Sequence, residues 1–327
     1  MTVQKKYITV FVPTYNGEPY IKELIEAVLL QDLPKGYLLE FIIIDSGSKD
    51  KTVEIIASNY LEKIVFLEIP NNEYGHGKTR QKATEIAKGE YILFLSQDAT
   101  PQSHRWLINM IEPFFISDKI GAVFGRQVPR PFSVPTIKRE VASVFGSLGA
   151  PDSIIIHREK SLVDGTPMNQ LNSFFSDVNS AVRKDLIEKI PFRDVKYAED
   201  QALAEDIQNN GYLKAYSPAG AVWHSNEYTS REYYYRKFDE YLGLQESTKT
   251  VLTKSRKSLF LGWIRPSLND FKFARKDGEY NRRARLKFIV GIPFYNFSQQ
   301  LGKYNAIKYL HNPKMRAKIS LESRSKD

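Results

Sequence analysis

The 327-residue sequence contains no cysteine. Disulfide bonds and thiolate metal sites are therefore excluded. No apolar run approaches the roughly 18 residues that a membrane-spanning helix requires, and the residues before Thr9 include lysines but no apolar stretch of signal-peptide length. We therefore expect a cytoplasmic protein that is not integral to a membrane.

The sequence also lacks the two common glycine-rich nucleotide motifs. No G-x-G-x-x-G follows the first predicted strand, and G-x-x-x-x-G-K-S/T does not occur. The first absence excludes the dinucleotide-binding fingerprint, and the second excludes a P-loop. A nucleotide ligand would therefore have to be held by side chains and a metal ion.

Positive charge is concentrated at one end of the chain. Residues 254–327 contain 18 Lys and Arg against 5 Asp and Glu, which gives this region a net charge of +13. The whole chain has a net charge of +9, so the remaining residues carry −4. A general nucleic-acid binder would place its positive charge along a folded groove, so the pattern argues against nucleic acid. It favours a terminal region that meets an anionic surface.

The first part of the chain alternates strand-like apolar runs with segments of helical apolar spacing. This alternation predicts a mostly parallel sheet covered by helices, with ligands at the carboxyl ends of the strands. Beyond residue 229 aromatic and basic residues follow at helical spacing. We predict a domain over residues 1–230 and a helical extension over residues 231–327. The predicted strands are residues 7–12, 38–44, 64–69 and 92–95.

Two of these predicted strands end on an aspartate. Asp45 follows the second strand, and Asp98 follows the fourth strand after Ser96 and Gln97. A carboxylate at the sheet edge can face a ligand without being buried, and we predict that role for both aspartates. Ser and Asp residues that follow Asp45 are equally well explained as caps of the next helix.

Four segments carry a family resemblance over roughly residues 5 to 230. "VFVPTYNGEPYIKELIEAVLLQ", "FIIIDSGSKDKT", "FLSQDATP" and "YAEDQALAEDI" together resemble the family 2 glycosyltransferases. The resemblance implies an α/β, Rossmann-like GT-A fold and inverting transfer of a sugar onto a hydroxyl. "YGHGKTRQKA", the Q-D-A strand end and "VWHSNEYT" are similar to the bacterial rhamnosyltransferase subgroup, which uses dTDP-L-rhamnose. For that subgroup the acceptor is a lipid-linked or growing cell-surface polysaccharide.

The resemblance also implies a set of donor-binding residues. Asp45 would accept the N3–H of a pyrimidine base, which only a hydrogen-bond acceptor can do. Arg80 would help to close the nucleotide site, although a surface arginine on a helix is the simpler interpretation. The complete predicted nucleotide-sugar set is Thr14, Tyr15, Glu18, Asp45, Arg80, Gln97 and Asp98.

A divalent metal is implied at Asp98, which matches the last residue of the family's D-x-D motif. A hard oxygen ligand suits Mg²⁺ or Mn²⁺, which take phosphate oxygens as further ligands. Ser96 stands where the motif has its first aspartate. His224 is predicted as the additional metal ligand or diphosphate contact, against the alternative of a structural histidine.

Acidic residues mark the predicted acceptor side. Glu199 and Asp200 occupy the family's E-D position, and Asp200 is the predicted base that takes the proton from the acceptor hydroxyl. The alternative is that an acidic pair at a helix start interacts favourably with the helix dipole. Asp177 and Asn179, in "FFSDVNSAVRKD", are predicted to border the acceptor.

The C-terminal region combines basic and apolar residues in a way that is typical of an interfacial helix on anionic lipid. The protein would then be peripheral on the inner face of the cell membrane, although packing or a solvated surface would explain the same composition. The residues concerned are Arg282, Arg283, Arg285 and Lys287, followed by Phe288, Ile289, Val290, Ile292 and Phe294.

Three other functions are compatible with parts of the pattern. The same chemistry with a UDP-hexose donor is the main alternative. A sugar nucleotidyltransferase would need a glycine-rich, arginine-bearing loop where "PTYNG" stands. A non-catalytic nucleotide-sugar-binding protein is disfavoured because Asp45, Asp98 and Asp200 occur together.

Overall fold

A computed structural model describes residues 5–157, 174–195, 197–224, 227–247 and 255–321. The chain divides into two compact units. Within the described residues, the first unit contains residues 5–128, 145–157, 174–195 and 199–224, and the second contains the remaining ranges. Whether the functional boundary lies at residue 230 stays a prediction.

The first unit is built on one mixed sheet with helices around it, so the α/β architecture is confirmed. Its strand order is β3-β2-β1-β4-β8-β6-β9-β5, with β7 paired to β9. The strands are β1 Lys6–Thr14, β2 Tyr37–Asp45, β3 Val65–Glu68, β4 Tyr91–Leu95, β5 Thr100–Pro101, β6 Ile120–Val128, β7 Ile155–His157, β8 Asn179–Arg183 and β9 Leu213–Trp223.

Helices follow the strands in the order that the apolar spacing predicts. Helix α1 buries Ile21, Leu24, Ile25 and Val28, which recur every three or four residues and so form one face. The helices are α1 Ile21–Leu29, α2 Thr52–Asn59, α3 His76–Ile86, α4 Trp106–Ile111, α5 Pro135–Leu148, α6 Lys184–Ile187 and α7 Glu199–Asn209, of which α5 begins in the second unit.

Strands β3, β2, β1 and β4 run parallel, which brings their carboxyl ends to one edge. Residues such as Val10 and Ile43 are inaccessible, as expected for strands covered on both faces. In this register Thr14 lies opposite Asp45. The predicted donor-binding turns are therefore adjacent in space.

Strand β8 changes the direction of the sheet beside that edge. It is antiparallel to both β4 and β6, and it places Asn179 opposite Leu95. Just beyond the paired residues, Ser96 N donates to Val178 O at 3.2 Å. The loop that carries Asp98 therefore runs beside the segment that carries Asp177.

The second unit is helical in its described part. Its core contains Phe238, Leu242 and Ala306. At Gly302 an added Cβ would lie 2.5 Å from the Tyr234 carbonyl oxygen, so only glycine permits this close approach. Its further helices are α8 Ser230–Ser247, α9 Arg256–Leu261, α10 Ile264–Lys276, α11 Arg282–Lys308 and α12 Pro313–Ile319.

The structure corrects the predicted lipid-facing residues of α11. Ile292 is fully buried, and the Phe288 ring packs edge-on to Tyr280 with centroids 5.2 Å apart. Arg285 donates to the carbonyl oxygens of Asp277 and Tyr280. Of the predicted apolar residues, Val290 and Phe294 are exposed, and Leu286 and Phe297 are exposed in addition. Among the described helices, none combines the length and apolar character needed to cross a bilayer.

Candidate active site

Gln97 joins the turns after β1 and β4. Its Oε1 accepts hydrogen bonds from Thr14 Oγ1 at 2.8 Å and Tyr15 N at 2.9 Å, and its Nε2 donates to Tyr15 O at 3.0 Å. An added Cβ at Gly17 would lie 2.7 Å from Gln97 Oε1. Gln97, predicted as a nucleotide contact, therefore holds the turn that carries Thr14 and Tyr15.

Asp45 closes the turn that follows β2. Its Oδ1 accepts from Gly47 N at 2.9 Å and Ser48 N at 2.8 Å, and its Oδ2 accepts from Ser48 Oγ. Gly47 has a φ of 84°, which glycine adopts without strain. The side chain of Asp45 is inaccessible, so the expectation that it is not buried was wrong. Its contact with a pyrimidine stays a prediction.

The β1 and β2 turns bind each other through polar side chains. Asp50 Oδ2 accepts from Glu18 N at 3.0 Å, and Glu18 Oε2 accepts from Lys51 N at 3.2 Å. Glu18 is exposed and Tyr15 is half-buried, so both remain accessible to a ligand. These contacts give the predicted nucleoside end of the site a fixed shape.

Asp98 and His224 lie side by side. His224 Nε2 is 3.4 Å from Asp98 Oδ2, and Ser96 Oγ donates to Asp98 Oδ1 at 2.7 Å. Burial acts to raise the pKa of Asp98, but the neighbouring His224 and the hydrogen bonds from His224 and Ser96 outweigh it and hold the pKa well below its usual range. Asp98 is therefore a carboxylate at neutral pH.

The surroundings of this pair fit a divalent cation. His224 Nδ1 lies 3.0 Å from Gln127 Oε1, and this contact orients the imidazole so that its Nε2 lies beside Asp98. No group of three or more acidic or histidine side chains forms a metal cage within the described residues. Mg²⁺ and similar ions often take only one or two protein ligands and complete their shell with phosphate oxygens and water. Nothing in the sequence indicated that Gln127 would contact His224.

Arg80 lies in a buried acidic cluster. Its Nη1 is 2.8 Å from Glu199 Oε1, its Nε is 3.1 Å from Asp177 Oδ2, and Nη1 also donates to His76 O at 3.0 Å. The residue is only 6% exposed, so the alternative of a surface arginine was wrong. The structure thus brings together Arg80, predicted on the nucleotide side, and Asp177 and Glu199, predicted on the acceptor side.

Asp200 is the least buried of the three acidic residues in this cluster. Asp177 and Glu199 are buried, whereas Asp200 is only partly so. Asp200 Oδ2 accepts from Asp177 N at 3.2 Å, and Oδ1 accepts from Gln201 N at 2.7 Å. Burial, followed by the charges of Glu199 and Asp177, raises the pKa of Asp200 well above its usual range. A carboxyl with a raised pKa in such a position is suited to proton transfer.

Asp177 shares this environment. Burial raises its pKa to about 6, and nearby Arg80 opposes the rise. Ser180 Oγ donates to Asp177 Oδ1 at 2.6 Å, a contact that the sequence did not indicate. Asp177 therefore supports the cluster from the inside and does not face an open surface.

Asn179 packs inside the protein in this structure, and its contact with the acceptor stays a prediction. Trp106 Nε1 donates to Asn179 Oδ1 at 3.0 Å, and Asn179 Nδ2 donates to the carbonyl oxygens of Gly220 and Arg126. The side chain is completely buried. Its amide is satisfied inside the protein, as buried polar groups generally are.

Comparisons with known proteins identify the family of this chain. Residues 9–190 match the family described as glycosyl transferase family 2. The chain is 31% identical over 237 residues to the O-antigen chain rhamnosyltransferase RfbN of Salmonella typhimurium, covering 71% of this chain and 70% of the relative. It is 32% identical over 237 residues to the O-antigen chain rhamnosyltransferase WbaN of Salmonella anatum, with the same coverage.

A solved structure supports the GT-A fold class. The mannosyltransferase PcManGT from Pyrobaculum calidifontis, solved with GDP-Man and Mn²⁺, has a TM-score of 0.59 at 19% identity, covering 94% of this chain and 87% of the other. At that identity the similarity concerns the fold. The family match and the two relatives carry the assignment: the chain belongs to glycosyl transferase family 2 and is a glycosyltransferase.

Proposed function

We propose that this glycosyltransferase moves L-rhamnose from dTDP-L-rhamnose, with inversion, onto a hydroxyl of a lipid-linked or growing cell-surface polysaccharide. The observation that carries the chemistry is the partly exposed Asp200, which lies next to the buried Asp177 and Glu199. As the acceptor oxygen attacks the anomeric carbon, Asp200 accepts its proton. The bond from that carbon to the diphosphate breaks, and dTDP leaves with the electron pair.

Asp98 and His224 are the residues that would hold a divalent metal, Mg²⁺ or Mn²⁺. When bound, the ion supplies positive charge that stabilises the departing diphosphate. Ser96 and Gln127 orient the two side chains, through the Ser96–Asp98 hydrogen bond and the Gln127–His224 contact. The solved relative in fold binds GDP-Man together with Mn²⁺, which is consistent with this arrangement.

The donor assignment rests on two supports. The Salmonella relatives are O-antigen chain rhamnosyltransferases, and the joined turns of Thr14, Tyr15, Glu18 and Asp45 form a preorganised surface at the strand ends. Asp45 would accept from the pyrimidine through Oδ2, which accepts one hydrogen bond from Ser48 Oγ; because the side chain is inaccessible, the base reaches it only if this turn opens. A UDP-hexose presents the same pyrimidine N3–H, so base recognition alone does not separate the two donors.

We further propose that the protein works on the inner face of the cell membrane, as a cytoplasmic, peripheral protein. The support is the basic C-terminal region and the exposed apolar side chains of α11. A lipid-linked acceptor would present its sugar at that surface.

The experiment is a donor panel with the purified protein and either Mg²⁺ or Mn²⁺. We expect dTDP-L-rhamnose to be consumed fastest, and dTDP to bind more tightly than GDP or ADP in calorimetry. A preference for UDP-glucose or UDP-N-acetylglucosamine would show that the proposed donor is wrong, while the proposed inverting sugar transfer would stand. Equal or tighter binding of purine diphosphates would contradict the pyrimidine site.

A further inference from the structure

Arg80 is a buried cation between two carboxylates that come from different segments. Glu199 is the first residue of α7, and Asp177 precedes β8. The guanidinium reaches both, at 2.8 Å and 3.1 Å, from the middle of α3. A planar guanidinium can hold two such partners at once, which a lysine ammonium does less well.

Arg80 forms its ion pairs with Glu199 and Asp177, and the third carboxylate of the cluster, Asp200, is held in another way. Asp200 accepts hydrogen bonds from the backbone N–H groups of Asp177 and Gln201. Arg80 thus binds the side chains of two residues that adjoin Asp200: Glu199 precedes it in the chain, and Asp177 supplies one of its two backbone donors. The two ion pairs therefore restrict where the Asp200 carboxylate can lie.

We propose that Arg80 is a positioning residue for the base: its ion pairs with Glu199 and Asp177 hold the Asp200 carboxylate towards the acceptor hydroxyl. This inference rests on the proposed role of Asp200. It replaces the sequence-based prediction that Arg80 closes the nucleotide site. Arg80 acts through Asp200 and does not contact the reacting atoms.

The charges in the cluster give Arg80 a second influence on the base. Glu199 and Asp177 raise the pKa of Asp200, and Arg80 lowers it. Two further titratable residues face the cluster: Tyr74, which precedes α3, and His76, the first residue of α3. The Tyr74 hydroxyl lies 3.0 Å from His76 Nδ1. Removing the Arg80 charge would therefore leave the carboxylate form of Asp200 less favoured at neutral pH.

Arg80→Lys tests the proposal because it keeps the charge and gives up the fork geometry. We expect kcat to fall roughly 10-fold or more, since misplacing a reacting group by about 1 Å can cost 10²-fold. The affinity for dTDP, measured by calorimetry, should change less than about twofold. Arg80→Met should in addition move the acid limb of the pH profile of kcat/KM to higher pH.

Arg193→Lys is the matched control. Arg193 is partly exposed and forms an ion pair with Asp206. Asp206 lies on α7, the helix that carries Asp200, but towards its other end. This variant should retain wild-type kcat and pH profile. Circular dichroism and thermal unfolding identify folded protein; if Arg80→Met does not fold, Arg80→Lys still gives the kcat and affinity results.

The double variant with Asp200→Asn distinguishes positioning from a general structural effect. If Arg80 acts through Asp200, Arg80→Lys should reduce kcat little further in the Asp200→Asn background. Loss of dTDP affinity with unchanged kcat would overturn the proposal and restore the nucleotide-site role. Full activity of Asp200→Asn alone would instead refute the proposed base, independently of how Arg80→Lys behaves.

Discussion

His224 Nε2 lies 3.4 Å from Asp98 Oδ2, while Nδ1 of the same imidazole lies 3.0 Å from Gln127 Oε1. Strand β9 ends at Trp223, and Trp223 pairs with Thr100 in β5, so the end of β9 lies beside the loop of Asp98. Ser96 donates to Asp98 where the family motif has a second carboxylate. The pair thus combines one carboxylate and one oriented imidazole.

The first prediction concerns metal binding by this pair. Asp98→Ala should abolish measurable Mn²⁺ binding in the presence of dTDP, because it removes the hard oxygen ligand. Gln127→Ala should weaken Mn²⁺ affinity about 10–100-fold by releasing the orientation of His224. Calorimetric titration of Mn²⁺ measures both without relying on turnover. Unchanged Mn²⁺ affinity in Asp98→Ala would show that Asp98 is not a ligand and that the metal binds at another site.

The second prediction concerns the base. Asp200→Asn keeps the size of the side chain but cannot accept the proton, so kcat should fall by about 10²–10⁴-fold. The affinity for dTDP should stay near that of the wild type. Asp206→Asn, on the same helix, is the control and should retain kcat. Sugar transfer by Asp200→Asn at a near wild-type rate would exclude this residue as the base.

The third prediction concerns the pH dependence of stability. Because burial raises the pKa of Asp200 above its value in an unfolded chain, the folded protein binds more protons. The stabilisation linked to that proton is complete below the unfolded value of 3.8 and is lost as pH rises through the folded pKa. Asp200→Asn removes this loss, so its Tm should fall less than the wild-type Tm between about pH 5 and 8.

The two proteins share every other titrating group, including Asp98 and Glu140, whose pKa values are lowered. The difference between their Tm values at each pH therefore reports on Asp200 together with the carboxyl groups that interact with it, Asp177 and Glu199. Parallel Tm curves would mean that Asp200 titrates alike in the folded and unfolded chains.

The parallel half of the fold could be predicted because strands and helices are encoded in local apolar spacing. Predicted strands at residues 7–12 and 38–44 lie within β1 and β2. The antiparallel strand β8 was not predicted, since its pairing with β4 and β6 depends on distant residues. The short motif "DVNSAVR" gives no local sign of direction.

Individual roles within the site were harder to predict than its location. Asp98 and Asp200 lie where motif order suggested, but Arg80 and Glu199 form a buried pair across a large sequence separation. Asn179 stands in an acidic, polar segment and is nonetheless satisfied by Trp106 and carbonyl oxygens. Which polar atoms remain available for a ligand depends on tertiary contacts, and those have no pattern in the sequence.

The last prediction concerns the surface of α11. Leu286, Val290, Phe294 and Phe297 are 67%, 63%, 64% and 39% exposed. Their spacing of three and four residues places them on one face of the helix. Arg282, Arg283 and Lys287 are also exposed at its N-terminal end. An apolar stripe beside basic residues is typical of a helix that lies in the surface of an anionic bilayer.

The positive charge favours lipid over a second copy of the chain, because two such stripes would bring like charges together. We expect the protein to co-sediment with vesicles that contain phosphatidylglycerol and not with pure phosphatidylcholine vesicles. Basic residues near an anionic leaflet contribute about 1 kcal/mol each, so binding should weaken as salt increases. Replacing Arg282, Arg283 and Lys287 with Gln should release the protein; Arg285 is left unchanged because it binds backbone carbonyls.

Two comparisons make this prediction specific to α11. Lys22, Lys35 and Lys63 are exposed in the first unit. Replacing them with Gln removes the same charge and should leave vesicle binding intact. Replacing Leu286, Val290 and Phe294 with Ser should reduce binding at every salt concentration, because the apolar contribution is not screened. Equal vesicle binding by the α11 and first-unit charge variants would contradict the prediction that α11 binds the membrane. A dimer in light scattering that is lost in the Ser variant would identify a second copy as its partner instead.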